Sequence, residues 1–111
     1  MAKYYGTYRN PEKRARVEWM REYAPEELDN LIQSGTLDEY MDDMEQRYID
    51  RLRELVPACE KSLGYDFMAA QELSNRDPLA WERMLNQARR MASEIAFNEI
   101  VAPPMEDYPE A

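Results

Sequence analysis

Seven carboxylates crowd one stretch of the chain: Asp38, Glu39, Asp42, Asp43 and Glu45, continued by Asp50 and Glu54. Three chemistries draw on such a series. Two carboxylates converging in a cleft share general acid and base work, and several converging oxygens hold a hard cation. A row of them along one helix face imitates a phosphate track and docks on a basic nucleic-acid channel, steered by the net negative field. The pairs 38 with 42 and 39 with 43 are i,i+4 neighbours on a helix, each disfavoured by about 0.2–0.5 kcal/mol. A place near a helix N-terminus offsets this by about 0.3–1 kcal/mol per group, so a plain solubilising role is also sufficient. One exposed helix face fans its carboxylates apart, which suits docking better than metal binding or hydrolysis. The expected partner-binding face is Asp38, Glu39, Asp42, Asp43, Glu45 and Asp50, with no metal ligands and no catalytic residue.

The remaining composition removes most familiar catalysis. Among 111 residues there is no histidine, which excludes an imidazole base, a Ser-His or Cys-His nucleophile and an imidazole metal ligand. The single cysteine, Cys59, forbids an intrachain disulfide or a thiolate zinc cage and falls on an apolar stripe, where an inert buried thiol is expected. Trp81, Met84, Met91, Met41 and Met44 sit at core spacing and do not form a cofactor box. The expectation is a non-enzymatic protein without cofactor that works by contact.

A second cluster, Lys13, Arg14, Arg16 and Arg21 with Tyr4, Tyr5, Tyr8 and Trp19 nearby, has the residue types that grip phosphates and stack on bases. It is the alternative, nucleic-acid-binding, surface. Its plainer use is pairing with Glu12, Glu18 and Glu22 or with the acidic helix. The net charge of −9 opposes direct nucleic-acid contact, and residues 25–75 hold 4 basic against 13 acidic side chains.

The elements that position these groups are helical. Only three glycines occur, and Leu, Met, Ala, Glu and Arg are plentiful. Asn10-Pro11 supplies a cap and a first helical residue for a helix to about Tyr23. The Ala24-Pro25 step restarts the chain into a short helix with Leu28, Leu31 and Ile32 inward, closed by Gly35 in the left-handed conformation. Thr36 to Glu39 has capping-box spacing and opens the longest helix, with apolar positions Leu37, Tyr40, Met41, Met44, Tyr48, Leu52, Leu55 and Cys59. Pro57 predicts a kink or a restart there. Gly64 ends the segment, Asp66 caps a short helix to about Leu73, and Asp77-Pro78 opens a final long helix. Its stripe is Trp81, Met84, Leu85, Ala88, Met91, Ala92 and Ile95, and Pro103-Pro104 stops it.

The fold class that follows is all-α: a small bundle of two long antiparallel helices and two or three short ones, with an arm or short strand at Lys3 to Tyr8. One helical domain is expected over residues 1–102, followed by a disordered acidic tail at 103–111. The stripes of the long helices also suit sharing with a second copy in a homodimer. Neither a secretory signal nor a membrane span is apparent, and a cytoplasmic location is expected.

Three segments resemble the transposon-encoded TnpV family. They are Gly35-Thr36-Leu37-Asp38-Glu39-Tyr40-Met41, the run to Leu55-Val56-Pro57, and the final helix from Trp81 through Asn86, Arg89, Ala92 and Glu94 to Ile95. The resemblance covers about residues 14–101. Leu85 stands where the family pattern has Met, and the chain has only Met1 to Asn10 where family members carry a longer strand-like hairpin. The resemblance implies residence on a bacterial mobile element and brings no reaction, cofactor or catalytic residue. Small acidic proteins in that setting often act on nucleases or recombinases, including as anti-CRISPR inhibitors, which is an analogy of setting and size. The expected function is protein-protein binding to a basic nucleic-acid-binding protein, a CRISPR nuclease or a recombinase, as an acidic DNA mimic. The alternative is a DNA-binding accessory factor in transposition.

Overall fold

The computed structural model describes residues 8–104. Five helices occur in chain order: α1 (Pro11–Tyr23), α2 (Pro25–Ser34), α3 (Leu37–Ser62), α4 (Phe67–Arg76) and α5 (Pro78–Ala96), the last followed by a π-helical turn, Phe97–Val101. No strand occurs among the described residues. The arm expected at Lys3 to Tyr8 lies, apart from Tyr8, outside them, as does the tail beyond Pro104.

Local chemistry sets each boundary. The Asn10 side chain accepts from the Lys13 amide at 2.9 Å, which satisfies one of the free donors at the start of α1. Pro25 begins α2 without a side-chain cap, and Gly35 ends it at φ 76°, where a side chain would be strained. The expected capping box of α3 is not found among the described residues: the Thr36 amide donates to the Leu31 carbonyl at 3.0 Å, and the Thr36 hydroxyl lies 2.6 Å from the Ser34 hydroxyl. Asp66 accepts from the Ala69 amide at 2.8 Å and Asp77 from the Ala80 amide at 3.2 Å, so both predicted aspartate caps are in place. Pro57 does not restart α3, which is assigned as one 26-residue helix. Helix α4 continues three residues past the expected end at Leu73.

The chain forms two compact units, one of residues up to Tyr48 with those from Phe97 onward, the other Ile49–Ala96. In the first unit α1 packs on α2 and on the π-helical turn. Its buried residues are Val17, Trp19, Met20, Leu28, Ile32, Leu37, Met41, Met44, Tyr48 and Val101, drawn from every element the unit contains. The π-turn closes with the Ala102 amide donating to the Phe97 carbonyl at 3.0 Å. The Trp19 indole N–H donates to the Pro103 carbonyl at 2.8 Å, which ties Pro103, assigned to the tail from sequence, to α1.

In the second unit Cys59, Ala88 and Ala92 form one buried cluster, with Leu52, Leu55, Val56, Leu63 and Met91 packed around it. Ala70, Leu73 and Met84 form another, flanked by Leu63, Tyr65, Ala80 and Trp81. Later α3 residues thus meet earlier α5 residues, which makes the two long helices antiparallel as predicted. The fully buried α5 residues of the first cluster, Ala88 and Ala92, are both small, and the larger side chains around them complete it. One stripe position differs from expectation: Ile95 is exposed, and Ala96 is buried in its place.

Candidate functional site

The residues of the expected acidic face all lie on α3, and in the first unit they meet the start of α1. Lys13 Nζ is 2.6 Å from Asp42 Oδ1 and 3.7 Å from Glu45 Oε1. Asn10 Nδ2 donates to Glu45 Oε2, and the Tyr8 hydroxyl donates to Asp38 Oδ1 at 2.6 Å. Three donors from one segment therefore engage three carboxylates of α3. The hydrogen bond to Asp42 is the main reason the Lys13 pKa is raised above its usual value; burial opposes it and the charges of Asp42 and Glu45 add to it.

Engagement does not remove these acids from the surface. The Asp42 side chain remains 70% exposed while holding Lys13, which is only 16% exposed. Glu45 is the more enclosed of the pair, at 29%. Asp43 pairs with Arg47 one turn along its own helix, at 3.4 Å, and is 75% exposed. Glu39 is exposed and has no ion-pair partner among the described residues. Asp38, Glu39, Asp42 and Asp43 thus project from the first two turns of α3, with Lys13 and Arg47 as the cations beside them. Asp50, in the second unit, lies 3.8 Å from Arg53, and Arg51 lies 3.0 Å from Glu54 on the same stretch of helix.

The alternative cluster is divided by the fold. Lys13 is committed to α3. Arg16 donates through Nη2 and Nε to the Tyr40 hydroxyl at 2.8 and 3.2 Å and through Nη1 to the Val101 carbonyl at 3.1 Å. Its guanidinium also stacks over Trp19, 4.4 Å from the ring centroid. Arg14 is exposed and donates to the Arg9 carbonyl at 3.2 Å, and Arg21 lies 3.5 Å from Glu18. Trp19, considered from sequence as a stacking platform, is 6% exposed and belongs to the core. Arg83, Arg89 and Arg90 belong to the second unit and are exposed.

The charge follows the same division. The first unit holds seven basic and fifteen acidic side chains, the second seven and eight. Glu22, Glu26, Glu27 and Asp29, where α1 gives way to α2, are all exposed and add to the acidic side of the first unit. Sequence reasoning placed Glu26, Glu27 and Asp29 at a helix start and Glu22 as a pairing partner of the basic residues of α1, and did not count them as part of a docking surface. Their signal was available in the run of acids without a basic residue between Arg21 and Arg47. No group of three or more His, Cys, Asp or Glu among the described residues is placed to hold a metal ion. No helix among the described residues is long and apolar enough to cross a membrane.

The family model described as transposon-encoded protein TnpV matches residues 5–101. No curated protein and no solved structure matches the chain.

Proposed function

The chain belongs to the transposon-encoded protein TnpV family, and from that premise we propose that it is a non-enzymatic accessory protein of a mobile element that acts by binding another protein. The partner is a basic nucleic-acid-binding protein, a recombinase or a nuclease of the CRISPR type, and the acidic first unit occupies the surface that would otherwise hold DNA. The observation that carries this reading is the surplus of carboxylates over cations on the outward side of α3. Asp38, Glu39, Asp42 and Asp43 project there, and Lys13 and Arg47 neutralise at most two of them. A field of this kind accelerates encounter with a basic surface and repels free nucleic acid. The absence of histidine and the burial of Cys59 favour action by contact over catalysis.

Competition tests it. A recombinase or CRISPR nuclease bound to labelled DNA is titrated with the protein at low and at physiological salt. Displacement of the DNA, weakened by salt and lost in a Glu39→Lys, Asp43→Lys double variant, is the expected result. Both residues are exposed and neither has an ion pair to another helix among the described residues, so the double variant should fold. Simultaneous occupancy by DNA and protein, or displacement unaffected by the charge reversals, overturns the reading.

A further inference from the structure

The second unit contains a concavity that the acidic face does not use. The end of α3 supplies Glu60, α4 supplies Phe67, Ala70, Gln71 and Ser74, and α5 supplies Trp81. Phe67 is 77% exposed, although it is one of only two phenylalanines in the chain. Its place is fixed by the Asp66 cap, which holds the first turn of α4 through the Ala69 amide. Trp81 is half-buried, packed on the Ala70, Leu73 and Met84 cluster, and it also lines the hollow. Glu60 is half-buried too, and its carboxylate has no ion pair or hydrogen bond among the described residues. Its backbone carbonyl is already used, accepting from Leu63 and Tyr65.

Two aromatic rings, an unpaired carboxylate, a carboxamide and a hydroxyl around one hollow define a ligand class. The rings offer negative faces, and an ionised Glu60 only accepts hydrogen bonds. A cation with a flat, weakly hydrated head satisfies both, which favours guanidinium over ammonium. The protein uses this pairing internally, where Arg16 stacks over Trp19 and donates to the Tyr40 hydroxyl. The geometry points to this hollow as a receptor for an arginine side chain of a protein partner, with Phe67 and Trp81 as walls and Glu60 as counter-ion. This deepens the reading above, on which it rests for the partner's basic character, by naming the side chain that a second contact takes.

The test uses Nα-acetyl-arginine amide as the probe, with Nα-acetyl-lysine amide for comparison, on the full chain. The indole N–H signals of Trp81 and Trp19 are followed by NMR. The arginine probe should shift the Trp81 signal saturably and leave Trp19 in place, with the lysine probe at least several-fold weaker. Phe67→Ala and Glu60→Gln should each weaken binding several-fold. Gln71→Arg removes neither aromatic nor carboxylate but offers the hollow a guanidinium of its own, and should block the probe. No saturable Trp81 shift, tighter binding of the lysine probe, or full affinity in Gln71→Arg overturns the assignment. Glu39→Lys with Asp43→Lys should leave the probe affinity unchanged, so failure of the DNA-competition reading and failure of the arginine receptor register separately.

Discussion

Lys13 Nζ sits 2.6 Å from Asp42 Oδ1, and this contact joins the start of α1 to the first half of α3. A lysine whose pKa is higher in the folded than in the unfolded chain contributes fully below the unfolded value and loses its contribution as pH rises through the folded one. The Lys13 pKa is raised from 10.5, chiefly by the hydrogen bond to Asp42. The stability difference between wild type and Lys13→Met should therefore stay constant from neutral pH to about 10 and shrink above 10.5. Because Asp42 is 70% exposed, solvent screens the pair and the difference should not exceed about 1 kcal/mol. Urea denaturation of both proteins across that range measures it, and a difference that persists undiminished at high pH would assign the effect to packing of the lysine stem.

Arg16 should matter to the fold and not to nucleic acid. Its guanidinium serves the Tyr40 hydroxyl, the Val101 carbonyl and the Trp19 ring at once. Hydrogen bonds from a charged group contribute about 1.5–3 kcal/mol, and lysine cannot reproduce the fork. Arg16→Lys should lower the urea midpoint by an amount equivalent to about 1–2 kcal/mol without changing the slope, and Arg16→Ala by more. An Arg16→Ala protein of wild-type stability would show that these bonds are not formed in solution.

The helices were legible because their punctuation is chemical. Asn10-Pro11, Gly35, Asp66 and Asp77-Pro78 each do what their local chemistry requires, and the stripes of α3 and α5 are buried or half-buried at every selected position except Ile95. The use of each charge was not legible. Lys13 and Arg14 are neighbours in sequence, yet one holds α3 and the other a local carbonyl, a difference made by which side of α1 faces Asp42. Phe67 shows the same limit for apolar residues. Its spacing to Ala70 and Leu73 matches a buried stripe, yet Phe67 is 77% exposed while those two are buried. The Thr36 hydroxyl had two partners within sequence reach, the Glu39 amide and the Ser34 hydroxyl, and it lies against Ser34.

Pro57 is a site of reserve stability. It lies inside α3, exposed, where it has no amide to donate toward the Arg53 carbonyl. Proline in a helix interior is disfavoured by about 3 kcal/mol against alanine, part of which is recovered when the surrounding helix adjusts. Pro57→Ala should stabilise the protein by about 1–3 kcal/mol, read as a rise in the thermal midpoint. A fall would mean that the bend proline imposes is needed for packing of Leu52, Leu55 and Cys59 against α5.

Ala88 and Ala92 are fully buried against Cys59 at the crossing of α3 and α5. Added volume there has nowhere to go, so Ala88→Leu should cost about 1–3 kcal/mol through overpacking. Cys59 reports this directly, because it is the only thiol and is 5% exposed. A buried thiol reacts with an aromatic disulfide reagent only from opened molecules, so its rate follows the open population when closing is fast. At about tenfold per 1.4 kcal/mol, the variant should label at least several-fold faster than wild type under native conditions. Equal rates in the two proteins, with the variant still helical, would show that the crossing yields to the larger side chain and that Ala88 does not set the approach of the two helices.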